Sequence, residues 1–242
     1  MITQSDFQLR GFRVLAQCGP DRAEQLLAGI TTGNLDFDET YKDQRKGLVA
    51  TFTHPGLGKL VLKIPRARNR RGWERFLTLF RDGEAFRRFR DFRRLREMGF
   101  QCPEPILAAE KRVSGMVVDG FYVYRFVPGR LADNRDYRLI VPELLRLHHR
   151  GYIRRDPKSD NYIIDDGGRV FFIDFKLKKP RIFNRVRCVT EYRRFLRSCP
   201  EGIAFRDQVP GSRATYFLAG LVSSYLVWKR RIRHFLKGKL KF

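Results

Sequence analysis

The stretch Arg155-Asp156-Pro157-Lys158-Ser159-Asp160-Asn161, followed by Phe171-Phe172-Ile173-Asp174-Phe175, carries a carboxylate, a cation, an amide and a second carboxylate in an order suited to phosphoryl transfer. That reaction is catalysed mainly by positioning and by neutralising the charge that develops on the transferred group. Asp156 would accept the hydrogen bond, and then the proton, of an attacking hydroxyl. Lys158 would reach the transferring phosphate. Asn161 and Asp174 offer hard oxygen atoms, the ligand type that suits Mg²⁺. The D-x-x-x-x-N spacing puts Asp156 and Asn161 on one short loop.

These groups need elements to converge them. Tyr162-Ile163-Ile164, a turn at Asp165-Asp166-Gly167-Gly168 and then Arg169 to Ile173 predict a hairpin, because Asp-Gly and Gly-Gly are strong two-residue turn signals. Its closure would bring Asn161 and Asp174 to one end. Upstream, Leu48 to Phe52 and Lys59 to Ile64 predict two strands around the turn His54 to Gly58, with Lys63 near the end of the second. Trp73 to Met98 predicts one long or broken helix. Phe86, Phe89, Phe92 and Leu95 form its apolar stripe, and Gly99, Pro103 and Pro105 stop it. Arg87, Arg88, Arg90, Arg93, Arg94 and Arg96 are expected on the outer side. Gly120 to Gly129 predicts a buried strand running into a turn, and Pro142 to Gly151 a helix leading into the catalytic loop. Its neighbours His148 and His149 point in different directions on a helix, so no zinc site is expected there.

The ordered set Lys63, Glu84, Tyr124–Gly129, Asp156–Asn161 and Asp174 resembles the protein-kinase-like superfamily. Within it the chain is most similar to the lipopolysaccharide core heptose kinases of Gram-negative bacteria (RfaY/WaaY type). That likeness is carried by Met1 to Ser5, Gly58 to Lys63, Arg96 to Phe100 and Asp156-Pro157-Lys158 with Asn161, and covers most of residues 35 to 185. It implies an α+β, two-lobed kinase-like fold: a β-rich N-lobe over 1–127 and a reduced, mainly helical C-lobe over 128–242. It implies that Lys63 binds the α/β-phosphates of ATP and pairs with a helix Glu, Glu84 or alternatively Glu74. Backbone groups at Arg125, Phe126 and Val127 would hold adenine, Asp156 and Lys158 would be catalytic, and Asn161 and Asp174 would bind Mg²⁺. The implied activity is transfer of the ATP γ-phosphate to a heptose hydroxyl of the inner core.

The chain departs from these patterns at several points. No G-x-G-x-x-G loop precedes Lys63; Asp43 to Gly47 is the candidate phosphate cover, with basic residues where glycines are usual. DFG becomes Asp174-Phe175-Lys176, and Arg154 stands where protein kinases usually carry His. Heptose kinases commonly have Gly-Asp-Pro-His where this chain has Arg155 to Lys158. A pseudokinase is the reading these changes would favour; the retained base and both metal ligands favour an enzyme.

Composition bounds the rest. The chain has 242 residues, 43% of them apolar, enough for a folded core. Few residues follow Asp174, which points to a small-molecule or glycan substrate in place of a polypeptide. The scattered Cys18, Cys102, Cys188 and Cys199 suggest reduced cytosolic thiols, and no secretory leader is expected at the N-terminus. The net charge of +24 attracts polyanions: nucleic acid, anionic lipid or a phosphorylated glycolipid.

The C-terminus bears on that choice. Ala214 to Trp228 is apolar but shorter than the roughly 20 residues a membrane span needs, and a buried C-lobe helix is expected. Lys229 to Phe242 alternates basic and bulky residues; Trp228, Ile232, Phe235 and Leu236 share a helical face. That is the pattern of a helix lying on an anionic membrane surface. The expected place is the cytoplasmic side of the inner membrane, with a lipopolysaccharide core glycolipid as acceptor. Alternatives are a Kdo or aminoglycoside-type kinase of the same fold, or a basic nucleic-acid-binding protein. No nucleic acid is expected, since no such motif is present and the aromatics fall at core spacing.

Overall fold

A computed structural model describes residues 5–69 and 71–239. The chain divides into two compact units, Met1–Pro128 and Gly129–Phe242.

The first unit is built on an antiparallel sheet of seven strands: β1 Ser5–Leu9, β2 Phe12–Ala16, β3 Glu39–Gln44, β4 Gly47–His54, β5 Gly58–Ile64, β6 Pro105–Val113 and β7 Met116–Arg125. Their spatial order is β1-β2-β6-β7-β5-β4-β3. Helices α1 Pro20–Thr32, α2 Arg66–Asn69, α3 Gly72–Leu77 and α4 Glu84–Glu97 complete the unit. The period-2 alternation of strands sorts side chains between two faces. One face collects Val14, Ala50, Phe52, Leu60, Leu62, Phe121 and Val123 against Leu26 and Leu27 of α1. On the other lies α4, whose Phe92 packs against the rings of Tyr122 and Tyr124.

The long or broken helix expected over 73–98 is broken, at residues 78–83. Its second half buries Phe86, Phe89, Phe92 and Leu95 as the stripe predicts. Arg88 corrects the expected outer face: it is only 5% exposed and is held between Glu84 (3.1 Å) and Asp91 (2.8 Å). The period places Arg88 beside the stripe, and two carboxylates one turn to either side compensate its burial.

The second unit contains α5 Tyr137–His149, α6 Asn184–Phe195, α7 Arg213–Lys239 and a three-stranded sheet ordered β10-β9-β8, where β8 is Arg130–Leu131, β9 Tyr162–Ile164 and β10 Val170–Phe172. The β9–β10 hairpin pairs Ile164 with Val170 and Tyr162 with Phe172. Gly129, with φ of +134°, is required where the chain enters this unit, because a Cβ there would collide with the Ile164 carbonyl.

The apolar stretch from Ala214 is not the buried helix expected from its composition. Ala219 and Ser223 are buried, but Phe217, Leu218, Leu221, Val222, Tyr225 and Trp228 are exposed along one face of α7. The helix continues to Lys239. The face expected from Ile232, Phe235 and Leu236 lies outside the described side chains, as do Met1 to Gln4 of the family-like opening.

Candidate active site

The candidate catalytic loop begins with a buried arginine. Arg154 is fully buried, and its guanidinium stacks over Tyr162 (4.2 Å to the ring centroid) and Phe172 (5.5 Å). Its Nη2 donates to the Asn161 carbonyl at 3.2 Å and to the Ile173 carbonyl at 3.1 Å. The two candidate metal-ligand segments are thus tied to one side chain. They are also tied to each other, since the Ile173 amide donates to the Asn161 carbonyl at 3.1 Å. The Lys176 amide closes the arrangement on the Arg154 carbonyl at 3.0 Å. The departure at position 154 is therefore a structural substitution: a cation packed over the adjoining rings of Tyr162 and Phe172 fills the place and orders the loop.

Asn161 faces Asp156, the candidate base, through its own amide. Nδ2 donates to the Asp156 main-chain oxygen at 3.0 Å, which leaves Oδ1 as the side-chain atom available to a cation. The side chains of Asp156, Lys158 and Asp174 are exposed. Arg155 and Asp174 have φ of +71° and +47°. Non-glycine residues held in the left-handed region are uncommon and concentrate at functional sites. Asp156, Asn161 and Asp174 are accordingly carried by one continuous, hydrogen-bonded framework.

Glu191 of α6 anchors that framework, and nothing in the sequence marked it. Its carboxylate accepts the amides of Arg154 (3.0 Å) and Arg155 (2.5 Å), and His148 Nε2 donates to it at 3.0 Å. Glu191 is 3% exposed. A buried carboxylate saturated by three donors is a rigid support. His148, adjacent to His149 at the end of α5, is committed to this carboxylate.

In the first unit, β5 pairs Lys63 with Tyr122 and Val61 with Tyr124. The register puts Lys63 on the sheet face that carries α4. Glu84 is the first residue of α4, and its carboxylate receives Arg87 (3.2 Å) and Arg88 (3.1 Å); Glu74 receives Arg81 (3.2 Å). Glu110 of β6, also unmarked in the sequence, caps α4 by accepting the amides of Gly83 (3.1 Å) and Phe86 (3.0 Å). In the segment expected to hold adenine two amides are already engaged: Arg125 donates to the Glu104 carbonyl at 2.9 Å and Phe126 to the Lys59 carbonyl at 3.0 Å. The Val127 amide and the carbonyls of this segment are the groups left to test for a base.

The candidate phosphate cover is a tight turn at Arg45-Lys46, closed by Gln44 opposite Gly47. Gly47 is required because a Cβ would approach the Ile64 carbonyl to 2.7 Å. Arg66 holds the turn through Asp43 at 2.5 Å. All four cysteines are free thiols; burial pushes Cys102 and Cys188 up to about 12 and Cys199 up to about 11, values that suppress the nucleophilic thiolate.

No protein-family model matches the chain, and no curated protein matches it. Among solved structures it is similar to WaaP in complex with acyl carrier protein, at 16% identity with a TM-score of 0.51, over 93% of this chain and 99% of that one. Two structures of WbdD, one described as a bifunctional kinase-methyltransferase, align more loosely, at TM-scores of 0.45 and 0.43 and identities of 14% and 13%, over 78% of this chain and 50% and 51% of theirs. The chain has the α+β kinase-like fold.

Proposed function

We propose that this chain is a phosphotransferase that moves the γ-phosphate of ATP to a sugar hydroxyl, a heptose of the lipopolysaccharide inner core. The observation that carries the reading is the Arg154 tie between the Asn161 and Ile173 carbonyls, with the Asn161 side chain on the Asp156 main chain. A loop held this way presents a base and two oxygen ligands with little freedom left to lose, which is what a positioning-dominated reaction needs.

Asp156 accepts the proton of the sugar hydroxyl, and Lys158 steadies charge on the transferring phosphate. Lys63 holds the α/β-phosphates, with Glu84 as its helix partner, and adenine lies against Arg125 to Val127. Asn161 Oδ1 and the Asp174 carboxylate are hard oxygen ligands and fit Mg²⁺, which when bound supplies charge neutralisation on the phosphate oxygens.

The membrane supports the acceptor assignment from a second direction. Trp73, Phe76 and Phe80 are exposed and in contact, Trp73 stacked on Phe76 at 5.7 Å between centroids and Phe76 edge-on to Phe80 at 5.8 Å, among Arg71, Arg75 and Arg81 in the sequence. Aromatic groups among cations suit an anionic lipid surface. No helix of the described residues is long and apolar enough to cross a membrane. The reading is a peripheral enzyme of the inner-membrane face. An acyl carrier protein, the partner in the WaaP structure, is the alternative occupant of a basic face.

The test is incubation with labelled ATP, Mg²⁺ and dephosphorylated core lipopolysaccharide, with the new phosphate located by mass spectrometry. One added phosphate on a core heptose is expected. Transfer to Kdo or to an aminoglycoside alone would overturn the acceptor. A melting temperature raised by polynucleotide and unmoved by ATP with Mg²⁺ would overturn the phosphotransferase.

A further inference from the structure

A cavity of about 570 Å³ opens in the second unit between the start of the catalytic loop, α6 and α7. Ile153 and Lys178, which exchange main-chain hydrogen bonds of 2.9 and 2.8 Å, form part of its wall. Its chemistry is divided. Arg155, Lys178, Arg187 and Arg194 bring cationic groups; Leu218, Val222 and Tyr225 of α7 bring an apolar wall. Glu191 also lines it, but this carboxylate is already taken by His148 and the amides of Arg154 and Arg155.

An apolar surface this exposed on a helix is costly unless something covers it. A neutral apolar ligand would leave these cations unused, and a small anion would leave the α7 wall bare. We infer that the cavity binds an acidic amphiphile: a phosphate head on Arg155, Lys178 and Arg187, and the adjoining hydrocarbon on Leu218, Val222 and Tyr225. Arg155 neighbours Asp156 in the chain, so the ligand is held beside the catalytic loop. That the amphiphile is the lipid-linked acceptor rests on the function proposed above; the ligand chemistry of the cavity does not.

The probe is fluorescent lysophosphatidic acid below its critical micelle concentration, titrated onto the full chain. An uncharged monoacylglycerol of equal chain length and inorganic phosphate serve as comparisons. Val222→Asp and Arg187→Glu are each expected to weaken binding at least tenfold. Leu221→Asp, on the exposed face of α7 but outside the cavity, is expected to change it less than twofold. Monoacylglycerol should bind at least tenfold more weakly, and millimolar phosphate should compete. The inference is overturned by no saturable binding, by an equal effect of Leu221→Asp, or by monoacylglycerol binding as well as the phosphate. Each variant is checked by thermal melting, with Val222→Ser replacing Val222→Asp if the latter does not fold. The shift in melting temperature with ATP and Mg²⁺ is read in parallel, so loss of the phosphotransfer reading is separable from loss of the site.

Discussion

The guanidinium of Arg154 donates to the Asn161 carbonyl at 3.2 Å, and that same oxygen accepts the Ile173 amide at 3.1 Å. One buried side chain therefore sets the separation of the two segments that carry the metal-binding candidates. Arginine suits the place because its terminal Nη2 bonds both carbonyls while the flat guanidinium packs over Tyr162 and Phe172. Lysine lacks that flat group.

Arg154→Lys should accordingly cost about 1–3 kcal/mol of unfolding free energy, the scale for a buried acceptor losing its partner. Urea unfolding measures this. Mg²⁺-dependent ATP affinity should fall as well, because Asn161 and Asp174 lose their common brace. A variant that is less stable but binds Mg²⁺ and ATP as before would show Arg154 to be a core residue alone.

Glu191 offers a test of a different kind. Glu191→Gln can keep its carbonyl oxygen at the Oε1 position, which both the Arg154 and the Arg155 amides reach, and loses only the acceptor facing His148, whereas Glu191→Ala leaves both amides and His148 without one. Alanine should cost about 3 kcal/mol or more, and glutamine clearly less. Chemical denaturation of the two variants, with turnover in parallel, would separate support of the loop from bulk stability. Equal losses for both would show that the charge matters more than the hydrogen bonds.

The two candidate aspartates should fail differently. Asp156→Asn removes the proton acceptor and should lower turnover about 10²–10⁴-fold while ATP still binds. Asp174→Asn removes a hard anionic ligand and should weaken the Mg²⁺ dependence of nucleotide binding itself. Calorimetric titration of each variant with ATP, with and without Mg²⁺, distinguishes the two. If Asp156→Asn loses nucleotide binding instead, the roles are misassigned.

Much of this framework was legible in the sequence because it is local. The D-x-x-x-x-N spacing, the Asp-Gly and Gly-Gly turn and the stripe from Phe86 to Leu95 are patterns over short windows, and the hairpin and helix they predict are present. What stayed hidden is long-range. Glu191 reaches back from α6 to the catalytic loop, and Glu110 caps α4 from a strand that follows it. In sequence each is one more charged residue on a basic chain. Arg88 and the α7 face mislead for the opposite reason: composition assigns an arginine to the surface and a run of apolar residues to the core. Partner placement decides both cases.

A pH prediction follows from Asp136. Hydrogen bonds from Arg130, at 2.6 Å to each carboxylate oxygen, hold its carboxyl below the usual carboxylate range, against the opposing effect of burial. A lowered folded-state pKa means the unfolded chain takes up the proton first, so the stabilisation is complete above about 4 and is lost as pH falls through the lowered value. Asp136→Asn should destabilise the protein at pH 7 and do so less at pH 3. Urea unfolding at both pH values checks it; a penalty independent of pH would mean that the Asp133 amide, which donates to the same carboxylate, carries the effect.

The aromatic group on α3 and just after it makes the membrane reading separable from the C-terminal helix. Trp73 and Phe80 are 69% and 79% exposed, and neither fills the core, so alanine at both should leave the melting temperature nearly unchanged. Each ring inserted into an anionic bilayer contributes apolar burial on the order of 1.5–3 kcal/mol, so the double substitution should weaken vesicle binding by tenfold or more. Removal of residues 229–242 acts chiefly through charge, at about 1 kcal/mol per basic residue near the surface, and its effect should shrink steeply with added salt. The aromatic contribution should persist at high salt. Cosedimentation with phosphatidylserine vesicles at low and high ionic strength resolves the two. Unchanged binding of the Trp73→Ala/Phe80→Ala variant at high salt would assign that face to a protein partner and leave the membrane to the helix alone.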